Sequence, residues 1–217
     1  GYVADSPSSP TSCSLPGGVV DLTKEKGVPD DQSCSKQAGN PINIAVGNKY
    51  QEEFDYIGTG AAPLTFSRIY NSQDGLWRHN FSAKLRIASD NIILVGADGR
   101  ESYFSLSNGI ATAELDELGK LTRKNELWVY TSSKQTTSTF DDAGRLLRQE
   151  KPSGEYYTLT YEADLSVRVT NNFGNFLKLS INTAANGQPS KLIIGDVQVN
   201  YAYDLQKRLI KRSVIRN

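Results

Sequence analysis

The chain has 217 residues, enough for one large or two small domains, with 38% hydrophobic and 22% charged residues. Lysine plus arginine balances aspartate plus glutamate at 24 each, so no global field draws in nucleic acid or an anionic membrane. No apolar run approaches the roughly 20 residues of a membrane-spanning helix, and 11 tyrosines with 18 glycines favour an all-β protein rich in turns.

Residues 1–39 hold SPSSP, SLPGG and GVPDD, where proline and glycine break regular structure and few apolar residues are available to bury. They are expected to form a flexible arm. Its two cysteines, Cys13 and Cys34, are expected to close a disulfide loop, because little else orders this segment. Such a bridge stabilises by about 3 kcal/mol and implies an exported protein, secreted or in the cell envelope. With His79 the only histidine, metal-ligand spacing is missing and no metal site is expected. The chain has no methionine, and is expected to start, without a signal peptide, at a processed or engineered end.

The folded part is expected to begin at Asn40. Ile42, Ile44 and Val46 alternate with Asn43 and Ala45, a turn falls at Gly47-Asn48, and Tyr50, Phe54 and Tyr56 then share one face against Gln51, Glu53 and Asp55. This period of two predicts an opening hairpin over 40–56. IGTGAA after it lacks the lysine and the helix pattern of a phosphate loop and reads as a turn. Further strands are predicted from Pro63 to Tyr70, with Leu64, Phe66 and Tyr70 on one face, and around Trp77, Phe81, Leu85 and Ile87. The continuous run Ile92–Val95, then GADGR, then Tyr103-Phe104, predicts a hairpin covered on both faces. Residues 107–126 admit either a helix of at most two turns or two short strands around Leu118-Gly119; 127–130 is a strand. A module over 40–130 is therefore expected to precede a second unit over 131–217.

That second unit repeats. Phe140-Asp141, Tyr161-Glu162 and Tyr203-Asp204 are spaced by steps of 21 and 42 residues, with a degenerate member at Asn182-Thr183 and turn glycines at Gly154, Gly174 and Gly195. About 21 residues accommodate two strands of about eight and their turns. The acid at each strand end accepts backbone N–H groups of the following turn, Gly144 allows positive φ, and Arg145 or Arg208 opens the next strand. One such unit cannot bury its apolar face, whereas stacked units can. The fold class expected is all-β, with antiparallel hairpins in a continuous, strongly twisted sheet.

These residues resemble the RHS/YD-repeat family of bacterial proteins. FDDAGRL (140–146) and YAYDLQKRL (201–209) look like the tyrosine-aspartate repeat, with Phe for Tyr at 140 and Lys for Gly at 207. GNPINIAVGNKYQEEFDY, PLTFSRIYNS and LWRHNFSAKL resemble the module ahead of the repeats in exported members. The resemblance implies a β-sheet that spirals into a shell around a C-terminal toxic domain, for bacterial competition or virulence, and at this length the spiral is expected to stay open. Its expected partners are later repeats or a toxin domain of the same protein, with self-association through an exposed strand edge.

No catalytic residue or cofactor site is expected. His79 has no nucleophile arranged with it, and Asp141-Asp142, adjacent on a strand, diverge. Trp77 and Trp128 either pack in the core or are ligand-stacking aromatics; as the latter they would support the alternative of an exported adhesion or carbohydrate-binding module. The basic tail 207–217 is expected to be a strand that later repeats would cover.

Overall fold

The computed structural model describes residues 46–60 and 62–216 and, ahead of them, Lys24, Lys26, Gly27 and five short strands. These are Val3–Ala4 (β1), Cys13–Leu15 (β2), Gly18–Val19 (β3), Gln37–Ala38 (β4) and Ile42–Asn43 (β5). The expected Cys13–Cys34 bridge lies outside the described residues. Then follow Asn48–Ile57 (β6), Thr65–Asn71 (β7), Leu76–His79 (β8), Lys84–Ile87 (β9), Asn91–Val95 (β10), Glu101–Ser107 (β11) and Ile110–Ala113 (β12). The remainder is Lys120–Lys124 (β13), Leu127–Thr131 (β14), Thr137–Phe140 (β15), Leu146–Glu150 (β16), Tyr156–Tyr161 (β17), Ser166–Asn171 (β18), Phe176–Asn182 (β19), Gln188–Ile194 (β20), Val197–Tyr203 (β21) and Leu209–Arg216 (β22). Among the described residues one 3-10 turn, Thr183–Ala185, interrupts the strands.

The protein is all-β and antiparallel, and every sheet is an open meander in chain order: β1–β3, β4–β8, β9–β12 and the ten-stranded β13–β22. The long continuous sheet thus starts at Lys120, and the ladder ahead of it is cut into shorter sheets. After β8, Asn80 takes the Ser67 N–H on its side chain and donates to the Thr65 carbonyl at 2.9 Å, occupying backbone groups that another strand would use. Of the two readings of 107–126, the strands are found. Leu115 and Leu118 are exposed in the turn between β12 and β13, so no apolar helical face exists to bury. No helix among the described residues is long and apolar enough to cross a membrane.

One apolar core joins the sheets. Val167, Leu179, Leu192 and Val199 face one another across β18–β21, and each such side chain buried stabilises by about 1.5–3 kcal/mol. Leu64, Phe66, Phe81, Leu85, Ile92 and Phe104 cover them from the preceding sheets within the same cluster. The Ile92–Val95 hairpin closes as expected, with the Gly96 N–H donating to the Arg100 carbonyl at 2.8 Å.

The repeat is a repeat of turns. The Asp141 carboxylate accepts the Arg145 N–H at 2.8 Å and the Arg145 Nε at 2.7 Å, and the Asp141 N–H donates to the Arg145 carbonyl at 3.0 Å. Asp204 and Arg208 reproduce the same three bonds at 2.8, 2.7 and 3.0 Å. The position three after the acid is left-handed in each unit: Gly144 at φ +78°, Leu165 at +63° and Lys207 at +65°. Only Gly144 is also crowded, since a Cβ there would lie 2.1 Å from the Leu85 carbonyl oxygen. Its own carbonyl accepts the Leu85 N–H at 2.9 Å, where β9 crosses the repeat. Lys207 and Leu165 bear the left-handed strain, about 1–2 kcal/mol, without a collision.

Gly144→Ala is therefore expected to destabilise the chain by about 2 kcal/mol or more, whereas Gly154→Ala, left-handed but with nothing near, loses only about 1 kcal/mol. Urea unfolding monitored by tryptophan fluorescence measures both.

Candidate functional site

The residues with most chemistry lie where the opening strands meet the ten-stranded sheet. In β6 the register slips between Phe54 and Tyr56, so Asp55 is the extra residue of a β-bulge. This corrects the simple alternation expected for 50–56. Phe54 is 55% exposed, and the Asp55 side chain is only 1% exposed.

Asp55 there holds three groups. It pairs with Arg68 of β7 through both guanidinium Nε and Nη2, accepts the Tyr201 hydroxyl at 2.6 Å, and accepts the Arg212 Nε of β22 at 2.5 Å. Arg68 is buried, its guanidinium lying 4.5 Å from the Trp77 ring centroid and 5.1 Å from that of Tyr201. Burial works against the Arg68 charge, but the Asp55 carboxylate outweighs it and holds the guanidinium above its ordinary pKa. Burial and then the bond to Asp55 push the Tyr201 phenol up, so it stays a donor. The expected single face of Leu64, Phe66 and Tyr70 is also revised: β7 is buried on both sides, and Arg68 is part of the interior.

Two further tethers span the same boundary. Buried Gln188 accepts the Trp77 N–H at 2.8 Å and donates to the Lys207 carbonyl at 2.9 Å. Buried Asn171 donates to the Ala62 carbonyl at 2.8 Å and accepts the Phe173 and Asn175 N–H groups of its own turn. Nothing in the sequence singled out Asp55, Arg68, Asn171 or Gln188. The available signal was charge or amide inside an otherwise apolar strand, as in TFSRIYN and SVRVTN.

The sequence-selected residues are distributed as follows. Phe140, Tyr161 and Tyr203 end β15, β17 and β21, each preceding its turn acid. Phe140 is fully buried; Tyr161 and Tyr203 donate their hydroxyls to the carbonyls of Leu146 at 3.0 Å and Pro189 at 2.7 Å. Asp141 and Asp142 part company, Asp142 pairing with Arg123 at 2.9 Å. Trp128 is 1% exposed in the core, which decides between the two readings of this residue: its large ring fills the sheet interface and is not a ligand-stacking surface. Trp77 is half-buried, 5.2 Å from Tyr70 and beneath Arg68.

A cavity of about 430 Å³ opens beside these tethers, between β8–β9 and the face of the repeat sheet. His79 lines it, with Trp77, Phe81, Lys84, Arg145 and Tyr161. The His79 Nδ1 accepts the Phe81 N–H at 3.3 Å, and its ring stacks on Phe66. Burial pulls the imidazole down to about 3. Among the described residues no cluster of three or more histidine, cysteine or acidic side chains could hold a metal. A second cavity of about 490 Å³, near Tyr56, Leu64, Phe176 and Ile193, has no charged lining.

Residues 39–104 match a family model described as a domain of unknown function, DUF6531. The matched stretch spans β5–β10 and the first part of β11, including Asp55, Arg68 and His79. Comparison with curated proteins finds no match.

Removing one partner of a buried ion pair strands the other charge. Asp55→Ala is accordingly expected to destabilise by about 3–5 kcal/mol, against less than about 1 kcal/mol for Arg212→Ala at the surface, by urea unfolding. The His79 shift has a pH signature. The unfolded chain takes up a proton below about pH 6.5, while the folded chain stays neutral until about 3. Stability from this group is thus complete above pH 6.5 and falls as pH drops below it, by up to about 1.4 kcal/mol per unit. Urea unfolding from pH 7.5 to 5, with the imidazole NMR shift unchanged in the folded state, measures it.

Proposed function

We propose that this chain is a non-catalytic portion of an RHS-type β-shell, in which the DUF6531-matched strands start a sheet that YD-like repeats extend, and which contains or delivers a toxic domain in bacterial competition or virulence. The observation that carries the reading is the pair of turns at Asp141 and Asp204. They are closed by the same carboxylate-to-backbone and carboxylate-to-arginine bonds, despite the Gly-to-Lys difference within them. A turn that recurs in geometry where the sequence has drifted is what a stacked repeat requires.

The open end supports the same role. β22 is the last strand of the sheet, with Ile210, Val214 and Ile215 exposed, and an unpaired edge of eight residues is a template for a further strand. A following repeat of the same protein is the proposed occupant, and export to the cell envelope or beyond is part of the proposal. The adhesion reading is less favoured, because burial of Trp128 takes away one of the two rings a sugar platform would use.

The reading is tested on the complete gene. The expected reading frame carries further units of about 21 residues and an unrelated C-terminal domain that is toxic when expressed alone and protected from protease in the whole protein. A frame lacking further units, in a protein that binds a glycan array, would overturn it.

A further inference from the structure

Lys24, Lys26 and Gly27 lie against the strands that follow them, and the groups that receive them come from two sheets, β4–β8 and β9–β12. Lys26 is 8% exposed, and its ammonium pairs with Asp74 of the β7–β8 turn at 3.1 Å. A lysine is seldom buried to this extent unless it is paired. The Lys26 carbonyl accepts the Arg100 Nε at 3.4 Å. The Gly27 N–H donates to the Asn71 side chain at 3.1 Å. Gly27 is left-handed at φ +83°, and a Cβ on it would collide with the Asp98 carboxylate of the β10–β11 turn. Lys24 pairs with Glu114 and with Asp116, the latter at 3.1 Å, and its ammonium lies 5.2 Å from the Tyr103 ring centroid.

The receiving groups are held by the strands themselves. The Asn71 side chain also accepts the Asn48 amide at 2.8 Å and donates to the Asp98 carbonyl at 2.6 Å. The Asp74 carboxylate is gripped by Arg78 at 2.6 Å and accepts the Leu76 N–H at 3.1 Å. The Asp98 carboxylate accepts the Arg100 N–H at 3.0 Å. Groups fixed in this way before a ligand arrives lose little freedom when it binds. Asn71, Asp74, Asp98 and Tyr103 lie within the stretch that matches the family model, whereas Lys24, Lys26 and Gly27 precede it.

We infer that this face is a recognition site for a Lys-x-Lys-Gly segment, and that the chain's own arm is its resident ligand, a detachable strap that closes the site to other chains. The two lysines are read by carboxylates and, at Lys24, by an aromatic face as well. The glycine is read by the lack of room beside Asp98. Release is feasible because much of the hold is at the surface: the Glu114 and Asp116 side chains are 50% and 63% exposed, and such ion pairs contribute little. It does not rest on the shell reading, since every group it uses is in contact in this structure.

Fluorescence anisotropy of a labelled peptide TKEKGVP, the sequence of residues 23–29, tests it on the whole chain. In the triple variant Lys24→Ser, Lys26→Ser, Gly27→Ala the arm no longer fits. The peptide is expected to bind that variant saturably and at least tenfold more tightly than the wild type, whose own arm competes from within the molecule. Serine in place of both peptide lysines should weaken binding at least tenfold, as should Asp74→Asn added to the triple variant. The variant is expected to keep the wild-type circular dichroism. Where its melting temperature falls, saturating peptide is expected to raise it again, with no such rise in the wild type. Absence of binding to the triple variant, equal binding to the wild type, or undiminished binding of the serine peptide would each refute the strap.

Discussion

A sheet of ten sequential strands has one apolar face that must leave water, and its own hairpins cannot cover it. Here the strands between Leu64 and Phe104 supply that cover, and their side chains form one cluster with those of the repeat. The rest of the structure follows from this burial. The strands ahead of the repeat cannot simply continue its ladder, because they are needed across its face. The ladder therefore breaks before β13, and the polypeptide crosses over itself at Leu85 and Gly144.

Packing two sheets face to face leaves their sliding poorly determined, since apolar contact has no direction. The polar tethers remove that freedom. Asp55, Gln188 and Asn171 each join an early element to a late one through directed bonds between groups buried or nearly so. A buried ion pair adds little net stability by itself, and its use here is best understood as fixing register. The bulge in β6 belongs to the same arrangement: without the extra residue, Asp55 would point away from Arg68 and Tyr201.

The same boundary generates the cavity. Where β8 and β9 arch over the repeat sheet, the Lys84–Arg145 bridge joins the two, and His79 lines the space left between them. Such a space arises only between elements distant in the chain. That distance explains why His79 and Lys84 looked unremarkable as isolated letters, and why the sequence left Trp128 open between core packing and a stacking surface, a choice its burial decides for the core.

Much was decided locally and could be read from the chain. Alternation of apolar and polar residues gave the strands, and glycine, asparagine and acidic residues gave the turns, because strand periodicity and left-handed backbone depend only on neighbours in sequence. The turn at Asp141 and its counterpart at Asp204 were legible for that reason, as was the all-β class. Tertiary structure alone decided which face of each strand is buried twice, where the ladder stops, that Phe54 turns outward while Asp55 turns in, and that Gly144, unlike Lys207, has no room for a side chain. Each of these depends on a partner many residues away, and a one-dimensional pattern carries no record of that partner's position.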